Sequence, residues 1–123
     1  MEGEGLQLAR KTHEKTEFGT YLVSLIRDAD MSQAEFIAAV GMARPYFYDI
    51  LKSSPPPKDT LEKMFEVLDK RLPPDTTRHS YFMNLAAKCR GEVPADIQDL
   101  IMAHPDQWDN IRSTLTEMLS AQR

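Results

Sequence analysis

The stretch between Ser32 and Gly41 constrains the fold most, because the sequence marks both of its ends. Its first four residues, Ser-Gln-Ala-Glu, have the spacing of a capping box. In that motif the Ser32 hydroxyl accepts a hydrogen bond from the Glu35 backbone N–H, and the Glu35 carboxylate accepts one from the Ser32 N–H. Gly41 is the residue type best suited to the left-handed position after a helix. The sequence therefore predicts a short helix that begins just after Ser32 and stops at Gly41.

Apolar residues at helical spacing predict further helices on both sides of this stretch. Upstream they recur at i, i+4, i+7 and i+8 from Phe18, and a third helix with Phe47 and Ile50 on its apolar side begins within three residues of Gly41. Later apolar stripes are separated by prolines and by Gly91, which end helices. The sequence has no convincing β-alternation, so we expect an all-α fold with about seven helices.

Length and charge limit what the chain can do. For 123 residues we expect one domain with a single hydrophobic core, since about two-thirds of the surface of such a chain is buried on folding. Fifteen basic and nineteen acidic residues give a net charge of −4, which excludes binding of nucleic acid or membrane by bulk charge alone. A local basic face is still compatible with that balance.

The residue inventory offers little for catalysis or metal binding. The three histidines, His13, His79 and His104, are far apart and share no ligand spacing with the only cysteine, Cys89. Apolar neighbours suggest that Cys89 is a small buried residue. The sequence contains neither a glycine-rich phosphate loop nor a Gly-x-Ser-x-Gly motif. We therefore expect no enzymatic activity, no cofactor and no metal site.

Two short helices joined by a three- or four-residue turn that contains glycine describe a helix-turn-helix. The segment reads Met31-Ser-Gln-Ala-Glu-Phe-Ile-Ala-Ala-Val-Gly-Met-Ala-Arg-Pro-Tyr-Phe-Tyr-Asp-Ile-Leu-Lys52, and Pro57-Lys-Asp-Thr-Leu61 follows it. Over residues 17–72, a little under half of the chain, it resembles the Cro/cI-like, or XRE, family of bacterial and phage transcriptional regulators. The resemblance implies a lambda-repressor-like helix-turn-helix bundle, here with about three extra C-terminal helices.

On this interpretation the chain has three parts. Residues 1–15 form a flexible N-terminal arm, residues 16–72 form the helix-turn-helix domain, and residues 73–123 form a helical extension packed on it. The extension ends in an apolar stripe at helical spacing, formed by Trp108, Ile111, Leu115, Met118 and Leu119. This stripe either packs back on its own domain or forms a dimer interface, and the sequence leaves both alternatives open.

The resemblance also implies which residues contact DNA. In this family the second helix crosses the phosphate backbone and the third, here residues 43–52, lies in the major groove. Gln33 would donate to a phosphate beside the exposed helix amides, and Arg44 would bind guanine O6 and N7 with two hydrogen bonds. Tyrosines would contact thymine methyl groups or phosphates, and lysines would contact phosphates. The implied contact set is Ser32, Gln33, Ala43, Arg44, Pro45, Tyr46, Tyr48, Asp49, Lys52 and Lys58.

The third helix departs from the family pattern at three positions. Ala43 stands at the position where a serine usually caps the helix. Pro45 stands where a polar side chain that contacts bases is common, and Asp49 stands where a cation is common. The Asp49 carboxylate would face phosphate repulsion or accept from a cytosine amino group. Residues 1–72 carry ten basic and twelve acidic side chains, a net charge of −2, so binding to random DNA should be weak and salt-sensitive.

The sequence thus predicts a non-enzymatic, sequence-specific DNA-binding regulator, in the simplest case a repressor, that binds an inverted-repeat operator on double-stranded DNA as a homodimer. Its acidic N-terminus does not resemble a signal peptide, and no apolar run approaches the ~18 residues of a membrane span. We therefore expect it in the cytoplasm, at the nucleoid, without a membrane partner.

The alternative is a protein-binding module on the same scaffold, such as an antitoxin or a phage-encoded inhibitor. Substitutions at Arg44 and Asp49 discriminate between these two functions, because a DNA-binding protein needs the Arg44 cation and tolerates loss of the Asp49 carboxylate.

Overall fold

The computed structural model describes residues 15–121, and that part of the chain is helical without a β-strand. This confirms the predicted all-α class, and the seven α-helices within this range match the number expected. The predicted N-terminal arm, residues 1–15, lies outside the described residues apart from Lys15. The helices are α1 Glu17–Asp28, α2 Gln33–Val40, α3 Arg44–Lys52, α4 Lys58–Asp69, α5 Arg78–Arg90, α6 Ala95–Met102 and α7 Trp108–Ala121, with a 3₁₀ turn at Pro105–Gln107 before α7.

α2 has the two ends that its sequence predicts. The Glu35 N–H donates to the Ser32 hydroxyl at 3.0 Å, and the Ser32 N–H donates to the Glu35 carboxylate at 2.8 Å, so the capping box is present. Gly41 has a φ of +85°, a left-handed conformation that residues with a Cβ rarely adopt. Residues 41–43 then connect α2 to α3 in a three-residue turn.

α1 packs so closely on α3 that only a glycine fits at the contact. A Cβ at Gly19 would lie 2.2 Å from the Leu51 carbonyl oxygen and 2.8 Å from the Leu51 Cα. Beside this contact the Thr16 backbone N–H donates to the same Leu51 oxygen at 2.9 Å. The Thr16 hydroxyl also caps α1 by accepting from the Gly19 N–H at 2.9 Å. The start of α1 is therefore attached to the last turn of α3.

Phenylalanine rings form the centre of the core. Phe82 of α5 lies edge-on to Phe18 of α1 at 5.1 Å between ring centroids and 5.4 Å from Phe65 of α4. Phe36 of α2 meets Phe47 of α3 edge-on at 5.9 Å. All five rings are buried, and edge-to-face pairs add about 0.5–1.5 kcal/mol beyond the burial itself. One core thus joins α1 to α5.

α5 is part of the same bundle as the first four helices, although it follows the predicted boundary at residue 72. At its start the buried Arg78 guanidinium donates to the Asp69 carboxylate and to the Pro73 carbonyl, both at 2.6 Å. At its end the Arg90 guanidinium donates to the carbonyls of residues 55 and 56, each at 3.2 Å. The predicted extension therefore begins as an integral helix of the core.

The rest of the extension projects from the bundle. α6 packs on α5, and neither α6 nor α7 has a buried residue. Within the predicted extension, α5 contributes buried side chains to the core, whereas the side chains of the α7 stripe stay accessible in the described part of the single chain. Cys89, expected to be buried, is only half-buried near the end of α5.

Replacing Gly19 with alanine should lower the free energy of unfolding by about 2 kcal/mol, because the added methyl group meets backbone atoms of Leu51. The better helix propensity of alanine, about 1 kcal/mol, offsets only part of the steric cost. Urea unfolding followed by far-UV circular dichroism measures the change. Thr20→Ala, at the exposed neighbouring position of α1, is the control and should change stability by less than about 0.5 kcal/mol. Equal stability of the Gly19 variant and the wild type would show that α1 and α3 do not meet this closely.

Candidate nucleic-acid interface

α3 presents a polar face to solvent and is anchored by three apolar side chains. Phe47, Ile50 and Leu51 are buried in the core. The structure therefore brings most of the predicted contact residues together on the outer side of one helix, and the exposed Ala43 directly precedes it. The exposed residues of α3 are Arg44, Pro45, Tyr46, Tyr48, Asp49 and Lys52.

The two tyrosines of α3 border this exposed face. Tyr46 and Tyr48 are each 40% exposed, whereas Phe47 between them is buried. At about 100° per residue they emerge on opposite edges of the helix, with Pro45 and Asp49 between them. Their rings can therefore touch a partner that covers the whole width of the face.

The start of α3 has no side-chain cap. Ala43 occupies the N-cap position without making a side-chain hydrogen bond, and Pro45 stands in the first turn, where its missing N–H costs nothing. Backbone N–H groups at an uncapped helix start have no intrahelical partner and favour an anion. Arg44 lies at this end and Lys52 at the other, so a cation stands at each end of the helix.

Ion pairing differs between α3 and the C-terminal helices. No salt bridge between described side chains involves Arg44 or Lys52. In α5 to α7, by contrast, every arginine and lysine has a carboxylate partner within 4.0 Å, namely Arg78, Lys88, Arg90 and Arg112. Arg44 and Lys52 are thus among the described cations that no carboxylate neutralises, and they can act on an external anion.

The start of α2 forms the second part of the candidate interface. Exposed Ser32 and half-buried Gln33 line a shallow groove of about 480 Å³ with Arg27 and Glu35. The hydrogen bond from the Ser32 backbone N–H lowers the pKa of Glu35, with smaller contributions from the Ser32 side chain and from Arg71. Since Ser32 and Glu35 satisfy each other in the cap, Gln33 is the predicted contact whose side chain remains available here.

Lys58 lies apart from these residues, at the start of α4. Its ammonium is 3.2 Å from the Asp99 carboxylate of α6 and 4.0 Å from Glu62, whose carboxylate is 2.8 Å from the His79 ring. The hydrogen bond with Asp99 raises the pKa of Lys58 above its ordinary value. A phosphate contact by Lys58 would therefore compete with a carboxylate from the extension.

Two cations near the interface were not singled out by the sequence analysis. The Lys63 ammonium lies 3.9 Å from the position that a Cβ on Gly41 would occupy, so this lysine borders the turn between α2 and α3. Arg71 lies close enough to Glu35 to lower the pKa of that carboxyl. The spacing of apolar residues in the sequence shows only that Lys63 and Arg71 face away from the core. The packing of α4 on α2 brings them close to the candidate interface.

Between residues 15 and 121, no three His, Cys, Asp or Glu side chains are grouped as metal ligands. None of the described helices combines the length and the apolar character needed to cross a membrane. Comparison of the chain with protein-family models, with curated proteins and with solved structures finds no match. Its function is therefore inferred from the geometry of α2, α3 and α4.

The stability contributed by the Glu35 carboxylate should depend on pH. Because the pKa of Glu35 is lowered in the folded chain, the contribution is complete above the ordinary value of 4.5 and is lost as the pH falls through the native pKa. Urea unfolding should therefore show wild type more stable than Glu35→Ala at neutral pH, with a smaller difference near pH 3. Glu35→Gln, which keeps an acceptor and cannot titrate, is the control. A difference between wild type and Glu35→Ala that stays constant in acid would argue against this cap.

Proposed function

We propose that the chain is a sequence-specific DNA-binding transcriptional regulator of the XRE type, and that it acts as a repressor. The observation that carries this proposal is the outer face of α3, which has a cation at each end and two half-exposed tyrosines between them. Neither cation is used in an ion pair with a described side chain. The three-residue turn that precedes α3 also suits a helix-turn-helix.

In this proposal α3 enters the major groove of double-stranded DNA and α2 crosses the phosphate backbone. Arg44 donates two hydrogen bonds to guanine O6 and N7, a geometry that suits a planar guanidinium. Gln33 and the first backbone N–H groups of α2 bind one phosphate and Lys52 binds another, which sets the register of α3 along the groove. Tyr46 and Tyr48 contact thymine methyl groups or phosphates at the two edges.

The acidity of the chain makes base contacts more important than bulk attraction. With a net charge of −4, affinity for random DNA is low and decreases steeply with salt. Preference for an operator must then come from the side chains of α3 and from pairing of two copies on an inverted repeat. Half-sites about 34 Å apart, or a multiple of that distance, suit such a pair, and the regulator would be found at the nucleoid.

One observation favours a second candidate function, a protein-binding module of the antitoxin or inhibitor kind. Asp49 lies near the centre of the exposed face of α3, and its carboxylate has no salt-bridge partner among the described side chains. A carboxylate in this place is repelled by DNA phosphates but suits a basic protein surface. The two functions therefore predict opposite effects of substitutions at Arg44 and Asp49.

Fluorescence anisotropy tests the DNA proposal, with labelled duplexes tiled across the region upstream of the chain's own gene. Near 50 and 200 mM salt, one tile should bind well above scrambled DNA, and its binding should weaken with salt. Arg44→Ala should cost about 1–3 kcal/mol on that tile and remove most of its preference over the scramble. Asp49→Asn should bind as well as wild type or better, because it removes a charge that phosphates repel.

The matched control is Lys88→Ala, which removes a positive charge from α5 instead of α3. It should lower affinity for the preferred tile and for scrambled DNA alike and so leave the preference unchanged. Equal loss of preference in both variants would show that Arg44 does not read bases. No preferred tile even at low salt, together with a protein partner that is lost on Asp49→Asn, would support the protein-binding function instead.

Asp99 should weaken DNA binding because it engages Lys58. Asp99→Asn removes the carboxylate 3.2 Å from the Lys58 ammonium and should raise operator affinity about two- to fivefold, as expected for an exposed ion pair. The gain should disappear in a Lys58→Ala background, since no cation is then released. An equal gain in both backgrounds would indicate general repulsion of DNA by Asp99 and no competition for Lys58.

A further inference from the structure

α7 carries an apolar stripe that no described residue of its own chain covers. Trp108, Ile111, Leu115, Met118 and Leu119 recur at helical spacing, and none of them is buried. Met118 and Leu119 are 50% and 61% exposed. We call these five residues the α7 face.

A helix such as α7 needs a partner for physical reasons. It has 14 residues, and an isolated helix of this length is marginal in water unless its apolar side is packed. It is joined to the bundle through the 3₁₀ turn and through the Trp108 indole N–H, which donates to the Ile101 carbonyl of α6 at 2.8 Å. That bond satisfies the polar atom of the indole, so an apolar partner can cover Trp108 without leaving a donor unpaired.

The uncovered area is enough for a small stable interface. Ile97 and Leu100 of α6, 44% and 65% exposed, lie one helical turn apart on the helix to which Trp108 is bonded. A fully exposed residue of this size has a surface of about 170 Å². On that basis Ile97, Leu100 and the α7 face together expose on the order of 500 Å² of surface on each chain. Two copies together would bury about 1,000 Å², which is where specific protein interfaces begin.

The charges around the α7 face favour a second copy over DNA or a membrane. Arg112, the cation among the described residues of α7, lies 2.7 Å from the Asp109 carboxylate, which competes for it with phosphates and with anionic lipid head groups. Glu117 projects from the side of the helix opposite the stripe. A surface with an apolar centre and a balanced rim can meet a copy of itself without like-charge repulsion.

We propose that the α7 faces of two copies pack antiparallel about a two-fold axis and so form a homodimer. An axis midway between positions 111 and 115 sets Trp108 of one copy against Met118 of the other, and Ile111 against Leu115. The flexible thioether of Met118 suits the edge of an indole. The stripe is therefore self-complementary in this register. The dimer does not depend on DNA binding, and if both hold, it places two α3 helices on one molecule.

Sedimentation velocity of the full chain without DNA tests the dimer. At micromolar concentrations the wild type should sediment at about 28 kDa, twice the chain mass of 14.0 kDa. Leu115→Lys with Leu119→Lys places charges within the α7 face and should give a 14.0 kDa monomer, with thermal unfolding of the core unchanged. Trp108 is the only tryptophan, and its emission should move to longer wavelength in this variant as the indole returns to water.

The control is Ser113→Lys with Ser120→Lys, which adds the same charge to the polar side of α7 and should leave the dimer intact. The proposal is overturned if the wild type is a monomer throughout, if the dimer survives the substitutions at Leu115 and Leu119, or if the control dissociates as well. Because DNA is absent from this experiment, a monomer leaves the proposed DNA binding standing. Failure to bind any duplex likewise leaves the dimer standing.

Discussion

The orientation of α3 depends on a contact between two backbones that only glycine permits. At Gly19 the chain of α1 lies directly against the Leu51 carbonyl, and the Thr16 N–H donates to the same oxygen. The last turn of α3 is held there, while Phe47 near its first turn is held in the aromatic core. A helix attached at both ends cannot rotate about its axis, so these attachments decide which side chains α3 presents to solvent.

Charge is arranged so that an acidic chain can still attract an anion locally. The cations of α5 to α7 are neutralised by neighbouring carboxylates, whereas Arg44 and Lys52 have no such partner among the described side chains. At physiological salt a phosphate responds mainly to charges within about 8 Å, so local pairing matters more than the total of −4. The pair of Lys58 and Asp99 links the candidate interface to the C-terminal helices, because the Lys58 cation of α4 is neutralised by the Asp99 carboxylate of α6.

Local patterns in the sequence predict the helices well and their partners poorly. The capping box at Ser32 and the left-handed Gly41 involve residues a few positions apart, and both are found as predicted. Gly19 carries no comparable signal, because the backbone that it meets lies far along the chain. The same is true of the pair of Lys58 and Asp99. Apolar spacing identifies a surface that must be covered but not what covers it, and the sequence alone therefore leaves two interpretations of the stripe of α7.

The aromatic core has a consequence for how a protein of this kind can change in evolution. Phe82 contacts both Phe18 and Phe65, and the buried Arg78 pairs with the exposed Asp69, so a chain that ended at residue 72 would lose part of its interior and this ion pair. The first four helices therefore cannot be combined freely with another C-terminal segment. Such a segment would have to supply an aromatic ring in place of Phe82 and a guanidinium in place of Arg78. New specificity is more accessible by single substitutions on α3, where six of the nine residues are exposed and, of these, the Tyr48 ring packs edge-on against the buried Phe47 at 5.6 Å.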